Sequence, residues 1–409
     1  MGFMRGFAFL LVVLVGFAGH AKSDLRFYLM PHKIYKLMKP AKRPPIIKQD
    51  KQFVMVKLSP NQIESLSELI HEKLGTCGGF FDVTKAVNES KGLAGTIDFN
   101  AYKEAGKEMG LHEKNPFVGR VIKNGSWIRS NLNLVVKERF ATALSQLTQF
   151  PDRAAWTENG KQASQWLHDN MLRYAQESGR LDVTARYIKT GNEYQQDSVV
   201  VKIPGTSPLV GGVLVGGHMD TFSNNRPGAD DDGTGTITVM EIFKAVIDSK
   251  VKYKSDMYFA FYSAEEMGLV GSSYVVDDFK NNRISLQAVM HFDMTGYLST
   301  RETNQLYFLQ DYTTPELNEF GKKIAIEVLQ IPAEKIGNSR CGYACSDHAN
   351  WNRNGYATVY PFESAFNNYN RSIHTANDNM NLINFDHAIR FVRFGFAFIA
   401  EVAEPILSN

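Results

Sequence analysis

The sequence predicts an α/β protein: a single, mostly parallel, doubly wound sheet flanked by helices, preceded by a small α+β unit. Three observations carry this expectation. From about residue 116 onward, short apolar runs alternate with helical stretches, as strands and crossover helices do around a parallel sheet. The chain has 409 residues, more than one core usually serves, so a second, smaller unit is expected. Acidic and histidine residues collect just past the ends of the apolar runs, where sites in such sheets form.

The elements follow in order. Arg5 precedes an unbroken apolar run, Phe7 to Ala18, too short to span a bilayer comfortably, and Gly19-His20-Ala21 comes next. Residues 1–21 read as a secretory signal peptide cleaved near Ala21. The mature chain is therefore expected to be secreted, outside the cell or in the periplasm, with no stable membrane association. Residues 22–50 carry Lys33, Lys36, Lys39, Lys42, Arg43 and Lys48 among Pro40, Pro44 and Pro45, the composition of a solvated linker. Phe53–Leu58 alternates apolar and polar residues, as a half-buried strand does. Ser59 can cap a helix with Pro60 at its first position. Ile63, Leu66, Ile70 and Leu74 then keep one face, and Gly75 can close the helix. Phe80–Val83 begins a second strand, and residues 84–115 carry few signals. Residues 22–115 are thus expected to form a small N-terminal unit, and 116–409 the main domain.

In the main domain, helices are expected at 135–150 and 162–175, the second with Ala163, Trp166, Leu167, Met171 and Tyr174 on one face. Strands read at 183–188, 199–203, 213–217, 257–262, 287–292, 306–310 and 358–362, with helical stretches at 234–248, 269–280, 315–329 and 385–401. Composition adds exclusions. With 44% apolar and 22% charged residues, the chain is neither disordered, collagen-like nor a polytopic membrane protein. A net charge of +2 gives no field that favours nucleic acid. Three cysteines are too few for a disulfide scaffold. A monomer is expected.

The chemistry-bearing residues sit at the predicted strand ends. His218 and Asp220 follow an apolar strand and share a side if the chain stays extended. Alone, His218 is either a ligand backed by a carboxylate or a polar residue satisfied within the fold. Asp230, Asp231 and Asp232 open a helix, as a capping cluster or as acids around a cation. Glu265 and Glu266 follow another strand, and paired glutamates can divide the work of metal ligand and general base. Asp293 ends the next strand, and His374 lies in a polar loop. Together they suit two zinc ions sharing one carboxylate.

These stretches resemble the zinc aminopeptidases of peptidase family M28, in particular the secreted leucyl aminopeptidases of the Aeromonas type. The resemblance rests on Gly-Gly-His-Met-Asp (216–220), Pro-Gly-Ala-Asp-Asp-Asp (227–232), Ala-Glu-Glu-Met-Gly-Leu (264–269), Phe-Asp-Met-Thr (292–295), Cys-Gly-Tyr-Ala-Cys-Ser-Asp-His-Ala (341–349), Pro-Phe-Glu-Ser (361–364) and Ile-His-Thr (373–375). It implies a zinc exopeptidase fold and two Zn²⁺ per chain, and by its position the unit 22–115 resembles the pro-segment of secreted aminopeptidases, the alternative being a permanent accessory domain. By the same resemblance, Asp231 bridges the ions and is joined to Asp232 by a cis peptide. His218 and Asp293 complete one site, and Glu266 and His374 the other. Glu265 is the general base, and Asp220 the carboxylate behind His218. Tyr343, Phe362, Phe366, Tyr369 and Ile373 would line a pocket for a large apolar first residue such as leucine; from the residues alone they read equally as core. The implied substrates are peptides with a free N-terminus. His291 and His348 read as structural. Cys341 and Cys345, four apart in an exported chain, are expected to form a disulfide that shapes the loop holding Tyr343, leaving Cys77 free or buried.

Three rival readings are kept. A glutaminyl cyclase of the same fold would use one zinc, whereas all five ligand positions are filled here. A non-catalytic ectodomain would tend to lose ligands or base. A related carboxypeptidase or dipeptidase would differ in substrate.

Overall fold

The computed structural model describes residues 25–76, 78–90, 116–207 and 211–407. The expected signal peptide, Cys77 and residues 91–115 lie outside the described residues.

The first unit is a four-stranded antiparallel sheet of β1 (Arg26–Pro31), β2 (Lys48–Gln49), β3 (Phe53–Leu58) and β4 (Phe81–Asp82), in the order β2-β3-β1-β4. This corrects the linker expected over 22–50. Between the basic residues stands Phe27-Tyr28-Leu29-Met30, all buried, and it becomes an inner strand paired along its length with β3. Buried Arg26 at its head is neutralised by Asp82 and by Glu193 of the main domain. Helix Pro60–Leu74 forms as expected, with a capping box between Ser59 and Gln62 and Gly75 in the left-handed conformation. Ile63, Leu66 and Ile70 are buried, whereas Leu74 turns out to solvent.

One apolar cluster runs through both units. Tyr28, Met30, Val54, Val56, Leu66 and Ile70 pack with Tyr194, Phe222, Ala264, Met267 and Val270. The N-terminal unit therefore shares a core with the main domain.

The main domain is built on β5 (Thr184–Ile188), β6 (Ser198–Ile203), β7 (Gly212–His218), β9 (Met257–Tyr262), β10 (Leu286–His291) and β13 (Thr358–Val359); β8 (Lys252–Tyr253) lies apart. The order is β13-β10-β7-β9-β6-β5, parallel from β13 to β9 and antiparallel beyond. Every residue of β7 and β9 is buried, as expected when helices cover both faces. Val213, Val215, Phe259 and Phe261 pack with helices Gly235–Asp248 and Phe385–Ala403, while Leu214, Tyr258 and Ala260 face helices Val270–Asn281 and His348–Arg353.

Two expected strands differ from the single-sheet picture. The strand at 306–310 leaves the central sheet: β11 (Leu306–Leu309) forms a separate sheet between β12 (Ile336–Ser339) and β14 (Pro361–Phe362). The expected strand 358–362 breaks at Tyr360, so that β13 stays with β10 while β14 crosses to β11. Pro361 has no N–H to continue a ladder, and the Tyr360 hydroxyl turns inward to donate to the Asp293 carbonyl. The short β15 (Pro405–Ile406) pairs with β8. Among the described residues, no helix is long and apolar enough to cross a membrane.

Candidate metal centre

The parallel strands deliver the acidic and histidine side chains to one edge. His218 is the last residue of β7, Glu265 and Glu266 follow β9, and Asp293 follows β10. Asp231 precedes helix Gly235–Asp248, and His374 comes from the loop before the last helix, with φ of +60°.

Asp231 is the centre of the arrangement. Its Oδ1 lies 3.2 Å from His218 Nε2 and its Oδ2 3.0 Å from His374 Nε2. His218 Nε2 also lies 3.7 Å from Asp293 Oδ1, and His374 Nε2 3.2 Å from Glu266 Oε2. Two nitrogen–oxygen groups thus stand on either side of one carboxylate. The peptide bond between Asp231 and Asp232 is cis, as the resemblance implies.

Asp220 is buried behind them. It accepts the backbone N–H groups of Glu265 at 3.0 Å and Glu266 at 3.2 Å, while its Oδ1 stands 3.5 Å from His218 Nδ1. Asp220 thereby fixes both the imidazole, whose Nδ1 bonds its backbone carbonyl at 3.2 Å, and the turn that carries the two glutamates.

The electrostatics follow from burial against charge. Burial pulls the His374 imidazole down, but Glu266 and Asp231 outweigh it and hold it up at about 10. His218 is likewise held well above its ordinary value, burial being outweighed by Asp220, Asp231 and Asp293. Burial raises the Glu266 carboxyl to about 7 and holds that of Glu265 well above the carboxylate range.

The donor set fits a divalent metal. Oxygens Asp293 Oδ1 and Asp232 Oδ2 are buried with no hydrogen-bond partner, a costly state that a cation would relieve. Donor atoms of His218, Asp232 and Asp293, and of Asp231, Glu266 and His374, lie within 4.8 Å of one another in each group. Imidazole nitrogens with carboxylate oxygens suit zinc.

Sequence reasoning missed part of this. Asp232 was read only as the neighbour of Asp231, yet it stands beside His218 and Asp293, with Oδ1 accepting from the Gly235 and Met294 N–H groups. Asp378 is buried and accepts the N–H groups of Asp230 and Asp231. Nothing local in the sequence marks it, because its partners lie about 150 residues away. His291 bonds Ser346 Oγ at 2.7 Å, and His348 bonds the Asp311 carbonyl at 3.0 Å. Burial drives both imidazoles down, His348 to about 3.

The aromatic residues gather at the same edge. Tyr343, Phe362, Phe366 and Tyr369 line a cavity with Asp231, Glu265, Glu266, Asp293 and His374. Ile373 is fully buried in the cluster behind it, and Met294 and Tyr360 join the wall. Cys341 and Cys345 are disulfide-bonded, with Cα atoms 6.4 Å apart and Tyr343 between them in the chain.

Ser67, Gly78, Gly79 and Phe80 of the N-terminal unit close the cavity, leaving about 40 Å³. His71 stands 5.7 Å from the His374 ring, the Tyr369 hydroxyl donates to the Gly75 carbonyl, and the Glu64 carboxylate accepts from Ser223 N–H and Oγ.

Known proteins resemble this chain in sequence and in fold. The profile of peptidase family M28 matches residues 198–399. Leucine aminopeptidase 1 of Neurospora crassa is 33% identical over 315 residues, 72% of this chain and 77% of that protein. The crystal structure of the LapA aminopeptidase of Legionella pneumophila superimposes with a TM-score of 0.82 at 30% identity, covering 94% of this chain and all of that one. LapB of the same organism gives 0.83 at 28% identity, over 93% of this chain and all of that one. On this match of sequence and fold, the chain is a metallo-aminopeptidase belonging to peptidase family M28.

Proposed function

We propose that this protein is a secreted dizinc aminopeptidase that removes a large apolar N-terminal residue, such as leucine, from peptides. The observation that carries the reading is Asp231, whose two oxygens face two imidazoles, one from the end of β7 and one from a distant loop. In this reading His218, Asp231 and Asp293 hold one zinc ion, and Asp231, Glu266 and His374 the other. Such a pair, when bound, supplies Lewis-acid polarisation of the scissile carbonyl and acidifies a water molecule.

The chain's own residues do the rest. Glu265 takes a proton from the attacking water and passes it to the leaving amine nitrogen. It lines the cavity beside Asp231, Glu266 and Asp293, and Asp220 fixes its backbone. Tyr343, Phe362, Phe366 and Tyr369 hold the first side chain, with Ile373 packed behind.

The N-terminal unit acts as a pro-segment. Ser67, Gly78, Gly79 and Phe80 of this unit narrow the cavity to about 40 Å³, which supports a reading in which it moves or is cut away before substrate binds. The basic residue and apolar run within 1–21 support export.

The test is hydrolysis of a leucyl anilide with a free amine against the same compound N-acylated. Cleavage of the first alone supports the reading. Cleavage of both, or of neither by zinc-loaded, proteolytically trimmed protein, overturns it.

A further inference from the structure

His218 ends β7 and Asp231 lies in the loop before helix Gly235–Asp248, and the separation of these two segments decides whether the His218 imidazole can reach the shared carboxylate. Arg153 spans them. It lies in the loop before helix Glu158–Glu177 and is fully buried. Its Nε donates to the Met219 carbonyl at 2.8 Å, one residue past His218. Its Nη2 donates to the Gly228 carbonyl at 2.9 Å and its Nη1 to that of Pro227, just before the aspartate run. Its backbone N–H donates to Thr221 Oγ1 at 2.8 Å.

Two further features fit this placement. Gly228 has φ of +50°, and a Cβ there would stand 2.3 Å from Thr221 Cγ2 and 2.4 Å from the Asp231 carbonyl, so glycine permits the loop to close around the guanidinium. The side-chain hydrogen bonds of Arg153 go to carbonyls, while Asp232, Asp378, Asp220 and Asp231 act on it through their charge. The acids that gather around the metal groups thus have a fixed positive charge beside them. A lysine could supply the charge but not the planar fork that reaches three carbonyls.

We propose that Arg153 is a positioning residue of the metal centre: it sets the distance between the His218 and Asp231 segments and balances the carboxylates between them. This rests on the two-metal reading above. The test is zinc affinity, measured on the full chain by competition with a chromophoric chelator, with thermal unfolding of metal-free and loaded protein alongside.

Arg153→Ala should hold zinc about 10–100-fold more weakly, the usual cost of losing a residue that orients ligands. Low-millimolar guanidinium ion should recover part of that loss. Arg153→Lys should fall between, with no response to guanidinium. Wild-type affinity in Arg153→Ala overturns the proposal, as does an equal fall in unfolding temperature of both forms with affinity unchanged. If Arg153→Ala fails to fold, Arg153→Lys decides, and wild-type affinity there overturns it. Wild-type protein that binds fewer than two ions overturns the metal reading instead.

Discussion

Glu265 and Glu266 are neighbours of one chemistry, and direction separates them. Glu266 points its Oε2 at His374, whereas Glu265 lines the cavity without joining either nitrogen–oxygen group. Glu265→Ala should therefore keep its zinc and its fold while kcat falls by roughly 10²–10⁴-fold, the worth of a positioned proton-transfer group. Glu266→Ala should lose one ion and most activity. Metal analysis beside kinetics checks both, and zinc loss in the first variant with full occupancy in the second would reverse the assignment. The residues of this centre were legible because each stands in a short motif: His218, Glu265, Glu266 and Asp293 at strand ends, Asp231 at a helix start and His374 in a polar loop. Arg153, Asp378 and the second face of Asp232 were not, because their partners arrive from distant stretches of chain.

Elements were legible where pattern and boundary signals agreed, as in Pro60–Leu74 with Ser59 and Gly75 at its ends, whereas the helix expected at 162–175 starts earlier than its apolar pattern shows. Helix Glu158–Glu177 begins at Thr157, whose hydroxyl accepts the Gly160 N–H at 3.1 Å. Thr157→Ala should cost about 1 kcal/mol, the usual value of such a cap. Gly160→Ala should cost more, since its Cβ would meet the Ala154 carbonyl oxygen at 2.1 Å and the loop bearing Arg153 would have to shift. Denaturant unfolding of both variants checks the order. The pattern misled where one segment serves two sheets. Thr358–Phe362 carries no charge and is buried throughout, and Pro361 with the inward turn of Tyr360 divides it. The inner strand Arg26–Pro31 hid among lysines and prolines, because its apolar core is four residues long and its pairing partner lies over 20 residues ahead.

At the scale of the molecule, the N-terminal unit shares a core with the main domain and closes the cavity over the metal centre. Limited proteolysis within residues 91–115 should raise turnover of a leucyl anilide, and removal of the freed unit should raise it further. Equal rates before and after would favour a permanent accessory domain. The central claim is that Asp231 ties two ions into one site. It is tested most directly by counting zinc per chain in the active wild-type protein and in Asp231→Ala. Two ions in the first, with both bindings weakened in the second, is the predicted result. One ion in a fully active chain, or an Asp231→Ala variant that keeps two, would contradict it.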